Sequence, residues 1–274
     1  MPAEYIEDHV QSSTNNHRDR DLWFPVSRIH SILVLKKKKL ECTQADKRII
    51  GFLIILRILN HGLGSVRFFF SYLQRLDVYG VDPDLLAVVP RPVLAIILLY
   101  PTTDKSDAFK NEREAKLKEI GQELSKDIYY LKQCVSNACG TVALIHSVAN
   151  NSEEIQLEKG HLKSFLDDTK ELPALERGEL LVKSQGIIDT HKELAQEGQT
   201  EAPGDDSPVN HHFVAFIQKE GSLYELDGRQ SIPINHGPSS PETFLEDATR
   251  ICQDYMARDP DEVRFTIVAL AANE

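Results

Sequence analysis

The chain has 274 residues, of which 41% are hydrophobic and 27% charged, the composition of a globular protein that can bury a full hydrophobic core. Its formal net charge is −11, and the charge is uneven: residues 1–75 carry 12 Lys and Arg against 7 Asp and Glu, whereas the rest carries 19 against 35. The acidic body argues against nucleic acid as the main partner and favours a basic protein or peptide, although acidity can also serve solubility alone.

Residues 1–75 show no clean hydrophobic period, so the sequence predicts no element there. The most apolar stretch, Ile49 to Leu59, contains Arg57 and is too short to span a bilayer, and the polar N-terminus lacks the pattern of a secretory leader. Downstream, Asp82-Pro83 predicts a helix start, with Asp as the N-cap and Pro at the first helical position. The apolar run Val93 to Leu99 then predicts a buried strand.

Three helical regions are predicted in the middle of the chain. Residues 106–128 are rich in charge and predict an amphipathic helix weakened by Gly121. Its apolar face is expected to comprise Phe109, Leu117, Ile120 and Leu124. The stretch from Thr141 to Ala149 is far more apolar and predicts a buried helix. Residues 161–185 predict one or two helices interrupted at Pro173.

The last third of the chain predicts a loop followed by strands and one helix. Residues 196–210 are rich in turn formers and predict the loop. Two strands are predicted around Lys219-Glu220-Gly221, then a helix that starts at Ser240-Pro241-Glu242, then a final strand. The three strands are His212 to Gln218, Leu223 to Asp227 and Glu262 to Ala271. Helices interspersed with strands that cluster late in the chain favour the α+β class.

The cysteines form no CxxC pair and no regular framework, which favours a reduced intracellular compartment. They are Cys42, Cys134, Cys139 and Cys252. Cys139 stands just before the predicted buried helix, with Ser136 and Asn137 as N-cap candidates. In the first turn of a helix the dipole and the free backbone N–H groups stabilise a thiolate, so Cys139 is a candidate nucleophile. Taken alone, such a cysteine is more often a small buried apolar side chain.

A cysteine nucleophile needs a base and an oxyanion donor. Gln133, six residues upstream of the cysteine, could donate its side-chain amide to an oxyanion, although alone it would be interpreted as a surface glutamine. His212 begins an alternating strand and is the candidate base. If Lys219-Glu220 is the tip of the hairpin, His212 lies directly opposite Asp227, whose carboxylate would orient the imidazole. A bulge at Gly221 would slip this register by one residue.

The other histidines have less support as catalytic groups. His146 lies on the same helix as the cysteine and is expected to pack or bond locally. His161 and His191 lack a nearby orienting group in the sequence, and His236 is expected in a loop. No His/Cys spacing suits zinc and no Gly-rich loop suits a phosphate, so the sequence predicts neither a metal nor a cofactor.

These residues also carry a family resemblance. The stretch Gln133-Cys134-Val135-Ser136-Asn137-Ala138-Cys139-Gly140-Thr141, continuing to Leu144-Ile145-His146, resembles the active-site motif of the ubiquitin C-terminal hydrolases. The similarity is to the short, single-domain cytosolic members and covers about residues 76–272. Further matching stretches are Asp77 to Gly80, Val89 to Pro92, Glu197 to Pro203, His212 to Phe216 and Leu223 to Gly228.

The resemblance implies a papain-like cysteine protease fold, in which a central antiparallel sheet is flanked by helices. It implies hydrolysis of ester, thioester or amide bonds after the last glycine of ubiquitin, without a cofactor. The implied roles are nucleophile for Cys139, oxyanion stabiliser for Gln133, general base and then acid for His212, and orienter of that histidine for Asp227.

The resemblance also implies the partners and the setting. The partner would be ubiquitin or a ubiquitin-like modifier with a small C-terminal adduct, and the basic tail of ubiquitin would be attracted to the acidic body. We expect a monomer that binds neither nucleic acid nor membrane and works in the cytoplasm, with the nucleus as a further candidate location. A flexible loop over the site, at about residues 184–209, would admit only small or unfolded adducts.

The N-terminal part of the chain departs from the family pattern. The family opens with a Trp-x-Pro-Leu-Glu-x-Asn-Pro strand, whereas here Leu40-Glu41 is followed by Cys42-Thr43-Gln44. We therefore divide the chain into an atypical, partly disordered N-terminal segment, residues 1–75, and a catalytic domain, residues 76–274. The alternative to an active enzyme is a ubiquitin-binding module with weak or no catalysis.

Overall fold

The computed structural model describes residues 73–78, 80–157, 159–189 and 211–272. The predictions for the N-terminal segment and for the loop at 196–210 therefore lie outside the described residues, apart from 73–75. Of the expected loop at 184–209, only 184–189 is described, and residues 185–189 are helical.

A six-stranded antiparallel sheet forms the centre of the described part of the chain. The strands lie in the order β1-β6-β2-β3-β4-β5, so β2 and β3 are the two central strands. The last strand of the chain, β6, lies between the first two, β1 and β2. The strands are β1 Leu73–Asp77, β2 Val93–Pro101, β3 His211–Lys219, β4 Ser222–Leu226, β5 Ile234–Pro238 and β6 Thr266–Ala272.

Helices cover both faces of this sheet. Helices α3, α4 and α5 pack in one hydrophobic cluster on one face, and α1 and α6 pack in a second cluster on the other. The predicted α+β class, with a central antiparallel sheet flanked by helices, is confirmed. The helices are α1 Pro83–Leu86, α2 Asp104–Ile120, α3 Cys139–Ala149, α4 His161–Thr169, α5 Ala174–Lys183 and α6 Phe244–Ala257.

Strand β2 shows why an unbroken apolar run becomes a central strand. All nine of its residues are buried. Alternate side chains point to opposite faces of a strand. Accordingly, Ala95 and Ile97 join the cluster under α3, whereas Ile96 and Leu98 join the cluster under α6. A strand covered on both faces needs apolar residues at every position, as the sequence predicts.

The hairpin of β3 and β4 has a different tip from the one predicted. Lys219 pairs with Ser222, so the two-residue turn is Glu220-Gly221 rather than Lys219-Glu220. Glu220 and Gly221 have φ values of 47° and 78°, which fits the positive φ that a type I′ turn requires at both central positions. The predicted register, with His212 directly opposite Asp227, is therefore wrong by two residues. A shift of two keeps every side chain on its expected face.

Helix α2 is present, but its predicted apolar face is wrong. The helix ends at Ile120, before Gly121, which takes a φ of 77°. Phe109 and Ile120 are 42% and 67% exposed. The buried residues of α2 are instead Ser106 and Lys110. The face of α2 that is turned toward the rest of the protein is therefore polar.

Smaller corrections concern the ends of other elements. Asp82 is the N-cap of α1 as predicted, and Pro173 separates α4 from α5. The last helix begins at Phe244 after a turn, because Thr243 rather than Ser240 is its N-cap. The last strand covers only the second part of the stretch predicted for it.

Candidate active site

Cys139 is the first residue of α3 and so lies in the first turn, as predicted. The N-cap is Ala138, rather than Ser136 or Asn137, and it makes no side-chain capping bond. The chain enters the helix through Asn137, whose φ of 58° is left-handed, a conformation that asparagine tolerates better than most residues. The Cys139 thiol is free, and the residue is 5% exposed.

The apolar sequence of α3 fixes the position of this thiol. Every residue from Cys139 to Val148 is buried, and Val142, Ile145 and Val148 pack in the cluster beneath β2 and β3. The helix therefore cannot rotate without exposing apolar surface. The N–H groups of its first turn have no partner inside the helix, and the positive end of its dipole lies beside the sulfur.

The environment of Cys139 favours the thiolate. Burial alone would raise the pKa of the thiol. The His212 imidazole, through hydrogen bonding and charge, and then the Phe213 backbone and Arg229 together outweigh burial, so the pKa of the thiol lies below its ordinary value. A lowered pKa is the property that makes a cysteine reactive near neutral pH.

His212 and Asp227 are in direct contact despite the corrected register. The His212 Nε2 and Asp227 Oδ1 atoms are 2.6 Å apart, and both side chains are essentially fully buried. They meet as diagonal neighbours across the hairpin, with Asp227 one residue beyond the end of β4. With Nε2 engaged by Asp227, Nδ1 is the ring nitrogen left for the thiol, and it makes no hydrogen bond of ordinary geometry among the described residues.

The contacts of Asp227 keep it ionised. Oδ1 also accepts a hydrogen bond from the Arg229 backbone N–H at 2.9 Å, and Oδ2 accepts one from Lys110 Nζ at 3.1 Å. Burial opposes ionisation, but His212 and then Lys110 lower the pKa of Asp227 far below its ordinary value. Burial likewise lowers the pKa of His212, but Asp227 and then Cys139 raise it by more. The two shifts act in the direction of an imidazolium next to a thiolate.

Gln133 lies on a segment without regular secondary structure that precedes α3. Its backbone N–H donates to the Gly228 carbonyl at 2.9 Å, and its side-chain Nε2 donates to the Val135 carbonyl at 3.0 Å. The amide has two N–H groups, so the second remains for another acceptor. The backbone hydrogen bond places Gln133 next to Gly228, the residue that follows Asp227 in the chain.

The close approach at Gly228 explains why a glycine follows Asp227. A Cβ atom at this position would lie 2.7 Å from Val142 Cγ1 and 3.1 Å from Gln133 Cβ. Those distances are shorter than ordinary van der Waals contact. The segment carrying Gln133, the first turns of α3 and the end of β4 therefore converge at one point, which only a residue without a side chain can occupy.

Side chains of α3 hold the same segment in place. His146 Nε2 accepts a hydrogen bond from the Leu131 N–H at 3.1 Å, and Asn150 bonds both the N–H and the carbonyl of Tyr129, at 2.8 and 2.9 Å. The Tyr130 hydroxyl lies 2.6 Å from the Asp227 carbonyl oxygen. His146 thus bonds locally, as expected, and burial lowers its pKa to about 4, which keeps it neutral.

A second buried carboxylate lies next to the site. Glu225 is fully buried and bonds Arg113 at 3.0 Å, His236 at 2.8 Å and Tyr255 at 2.6 Å. Arg113 is the main cause that lowers the pKa of Glu225 against the effect of burial. His236 lies on β5 rather than in a loop, so its predicted placement is wrong.

Sequence reasoning missed the residues that support the candidate site. Lys110 and Tyr130 contact Asp227, yet neither belongs to a local pattern that indicates chemistry. Gly228 ends a stretch that matches the family, but the sequence did not show why a glycine is needed there. Lys110 is one lysine in a charge-rich helix, and its contact with Asp227 spans 117 positions. The sequence of α2 does not show that its buried face is polar. That becomes apparent only when the helix is packed next to β4 and Asp227.

Two further observations concern other kinds of site. Within the described part of the chain, no group of three or more His, Cys, Asp or Glu residues is arranged to bind a metal ion. Among the same residues, no helix has the length and apolar character needed to cross a membrane.

Comparison with known proteins gives consistent relatives. The sequence model of ubiquitin carboxyl-terminal hydrolase, family 1, matches residues 67–257. A ubiquitin carboxyl-terminal hydrolase from Drosophila melanogaster is 50% identical over 196 residues, which cover 72% of this chain and 86% of the relative. A probable ubiquitin carboxyl-terminal hydrolase from Dictyostelium discoideum is 44% identical over 195 residues, covering 71% of this chain and 76% of that protein.

The fold also resembles a solved structure. The crystal structure of the Trichinella spiralis UCH37 catalytic domain bound to ubiquitin vinyl methyl ester superposes with a TM-score of 0.57. The superposition covers 82% of this chain and 92% of that chain, at 24% sequence identity. At this identity the likeness supports the fold.

Proposed function

Because this chain belongs to the ubiquitin carboxyl-terminal hydrolase family 1, we propose that it is a thiol-dependent deubiquitinating hydrolase. The bonds it cleaves would be esters, thioesters or amides that follow the C-terminal glycine of ubiquitin. The solved relative is complexed with ubiquitin vinyl methyl ester, which makes ubiquitin the first substrate to test.

The observation that best supports this activity is a connected line of three side chains. The carboxylate of Asp227 lies 2.6 Å from His212 Nε2, and the same imidazole lowers the pKa of the Cys139 thiol at the start of α3. A nucleophile, a base and a group that orients the base are the parts that covalent hydrolysis requires.

In the first half of the proposed reaction, the Cys139 sulfur attacks the carbonyl carbon of the last glycine. The thiol proton has already passed to His212, and the carbonyl oxygen becomes an oxyanion. The proposed donors for that oxyanion are the second N–H of the Gln133 side-chain amide and the N–H groups at the start of α3. His212 then gives its proton to the leaving amine, alcohol or thiol, and an acyl-enzyme thioester remains.

In the second half, water replaces the leaving group. His212 accepts a proton from the water as it attacks the thioester carbonyl, and collapse of the second oxyanion expels the Cys139 thiolate. The products are a ubiquitin carboxylate, a proton released to solvent, and the free enzyme with its thiolate and imidazolium. Throughout both halves Asp227 holds the imidazole in one orientation and stabilises its positive charge.

The proposed partner fits the charge of the chain. Residues 76–274 carry a large excess of Asp and Glu, which would attract a basic ubiquitin tail over long range. We further propose that the protein acts as a monomer in the cytoplasm, with the nucleus as a further candidate location, and that neither nucleic acid nor membrane is a partner. Weaker turnover at high salt would support this steering.

The test compares two cysteines that lie five positions apart. We expect Cys139→Ala to lower hydrolysis of a fluorogenic ubiquitin amide by roughly a thousandfold or more, because the nucleophile is lost. Cys134 is the matched control, since it is free and exposed and lies outside the first turn of α3. Cys134→Ala should keep most of the activity.

A ubiquitin probe with a thiol-reactive C-terminus completes the experiment. It should label wild type and Cys134→Ala but not Cys139→Ala. Loss of labelling in Cys134→Ala instead would show that the nucleophile is misassigned. A wild-type chain that binds ubiquitin but neither reacts with the probe nor hydrolyses the amide would be a binding module rather than an enzyme.

A further inference from the structure

The two oxygens of Asp227 have different partners. Oδ1 meets His212 Nε2 and the Arg229 backbone, whereas Oδ2 meets Lys110 Nζ at 3.1 Å. The side chains of Lys110 and Asp227 are 3% and 1% exposed, so this is a buried ion pair, and solvent does not screen it as it screens surface pairs. Burying the Lys110 charge is costly, and the Asp227 carboxylate beside it is the group that compensates this cost.

The start of helix α2 determines where Lys110 lies. A capping box of Thr103 and Ser106 starts the helix directly after β2, with hydrogen bonds of 2.9 and 3.2 Å. The Lys110 ammonium also lies 5.7 Å from the ring centre of Tyr100 on β2. The helix therefore sets the position of the Lys110 backbone, and Tyr100 lies near its ammonium. Neither of these contacts involves Asp227.

Two further residues on the same face of α2 hold the chain around Asp227. Arg113 bonds Glu225 at 3.0 Å, two residues before Asp227, and Glu114 accepts the Ser231 backbone N–H at 3.1 Å, four residues after it. Together with the pair of Lys110 and Asp227, these contacts form what we call the α2 clamp: Lys110, Arg113 and Glu114. Its three members bond Asp227 itself, one residue that precedes it in the chain and one residue that follows it.

We propose that Lys110 is a positioning residue for the hydrolase reaction: it holds Oδ2 of Asp227 so that Oδ1 stays on His212, and its charge limits how strongly His212 retains a proton. This inference rests on the proposed function. A carboxylate bonded through one oxygen can rotate, whereas one bonded through both cannot. A nearby cation disfavours the protonated imidazole, so it helps His212 to release its proton to the leaving group.

Other charged and titratable groups also face this pair, but none replaces Lys110. Among the described Lys and Arg residues, Lys110 is the one whose side chain contacts the Asp227 carboxylate, since Arg229 contacts it through the backbone. On α2 itself, the exposed Asp107 carboxylate lies 3.8 Å from Lys110 Nζ. The other groups that interact electrostatically with the pair or lie beside it, apart from Cys139, are Tyr100, Tyr130, Lys132, His146, Glu225 and Arg229.

The experiment measures the pH dependence of Cys139 without any substrate. The alkylation rate of Cys139 by iodoacetamide would be followed from about pH 5 to pH 10 in a Cys42→Ser/Cys134→Ser background. Cys252 is buried with a raised pKa and should not react. Lys110→Met should move the midpoint to higher pH by about one unit, because loss of a cation raises the pKa of neighbouring acids.

Three further variants separate charge, geometry and general effects. Lys110→Gln lacks the charge but can still donate to Oδ2, so it should shift the midpoint like Lys110→Met and keep more of the activity. Lys110→Arg should restore the wild-type midpoint. Lys116→Met, which removes an exposed lysine from the same helix, should leave the midpoint unchanged. At pH 7, hydrolysis of the ubiquitin amide should fall about tenfold to a hundredfold in Lys110→Met.

The outcomes separate this inference from the proposed function. If the midpoint stays unmoved in Lys110→Met and Lys110→Gln, or moves as far in Lys116→Met, Lys110 has only a structural role and the inference is wrong. If Lys110→Met does not fold, as judged by circular dichroism, Lys110→Gln decides the matter. A shifted midpoint in a protein that does not hydrolyse ubiquitin amide would support Lys110 and reject the hydrolase, whereas an unmoved midpoint in an active enzyme would do the reverse.

Discussion

Helices α2 and α3 approach the same site and bury opposite kinds of side chain. Helix α3 buries every residue from Cys139 to Val148, most of them apolar, under the central strands. Helix α2 leaves Phe109 and Ile120 exposed and buries Lys110. The difference teaches that an apolar stripe predicts how a helix packs only when its neighbour is the hydrophobic core. A helix that covers buried carboxylates needs a polar face.

The two helices also treat buried ionisable groups differently. Helix α3 carries His146, which forms no ion pair with the residues that the structure describes and is kept neutral by burial. Helix α2 instead brings cations to Asp227 and Glu225, which stay ionised although they are buried. Helix α3 contributes stability by burying apolar surface, whereas α2 compensates the negative charges of Asp227 and Glu225 at the site. Three changes test this contrast, in order of decreasing expected effect.

The largest loss of stability is expected from the α2 side. Arg113→Met would leave the buried Glu225 carboxylate without its main cation, and breaking a buried ion pair from one side costs about 3–5 kcal/mol. Urea unfolding measures this cost. The control is Arg250→Met on α6, which removes the 65%-exposed partner of Asp247 and should cost less than about 1 kcal/mol. Equal losses in the two variants would mean that Glu225 does not need its cation.

A matched pair of isoleucines compares the apolar contributions of the two helices. Ile145→Ala on α3 removes a side chain that is 2% exposed and should lower the free energy of unfolding by about 3 kcal/mol. Ile120→Ala on α2 removes one that is 67% exposed and should change it by less than about 0.5 kcal/mol. Thermal or urea unfolding distinguishes them. A large loss in Ile120→Ala would imply that α2 packs through its apolar residues after all.

The smallest of the three effects is a pH dependence that originates from α3. The pKa of His146 is about 4 in the folded chain, below its ordinary value of 6.5, so the unfolded chain binds a proton first as the pH falls. The stability from a neutral His146 is complete above pH 6.5 and is lost toward pH 4, by about 1.4 kcal/mol per pH unit. Wild type should therefore lose about 2 kcal/mol between pH 6.5 and pH 5 from this group.

The measurement is urea unfolding of wild type and His146→Gln at both pH values. The glutamine oxygen can accept the Leu131 N–H but does not titrate, so the stability difference between the two proteins should shrink by about 2 kcal/mol at the lower pH. His161→Gln, which replaces an exposed histidine on α4, serves as the control. A difference that is the same at both pH values would show that His146 is not held neutral.

Much of the fold was predictable because it follows from local patterns. The apolar run of β2, the apolar helix that begins at Cys139 and the alternation in β3 each have a period that the chain displays within a few residues. The α+β class follows from their order. The candidate residues Gln133, Cys139, His212 and Asp227 were also identifiable, because their residue types and motifs lie in short stretches. Their catalytic roles remain predictions that the variants above will test.

The hairpin register was not predictable with the same rules. A choice between Lys219-Glu220 and Glu220-Gly221 as the turn depends on which two residues take a positive φ and on how β3 pairs with β2 at the same time. Glycine favours the second choice, whereas a bulge at Gly221 would have slipped the register by one residue. The His212–Asp227 contact survives because a shift of two residues preserves the side of the sheet.

By itself, the sequence determined the family, the elements with a clear period and the residue types at the candidate site, because each is encoded in a short stretch of chain. Only the tertiary structure decided which oxygen of Asp227 faces His212, and that Lys110 holds the other. Lys110 and Asp227 are 117 positions apart, and no local period links them. The lysine is buried because folding brings a carboxylate within 3.1 Å of it, and without that partner the same helix would be expected to turn its charge to water.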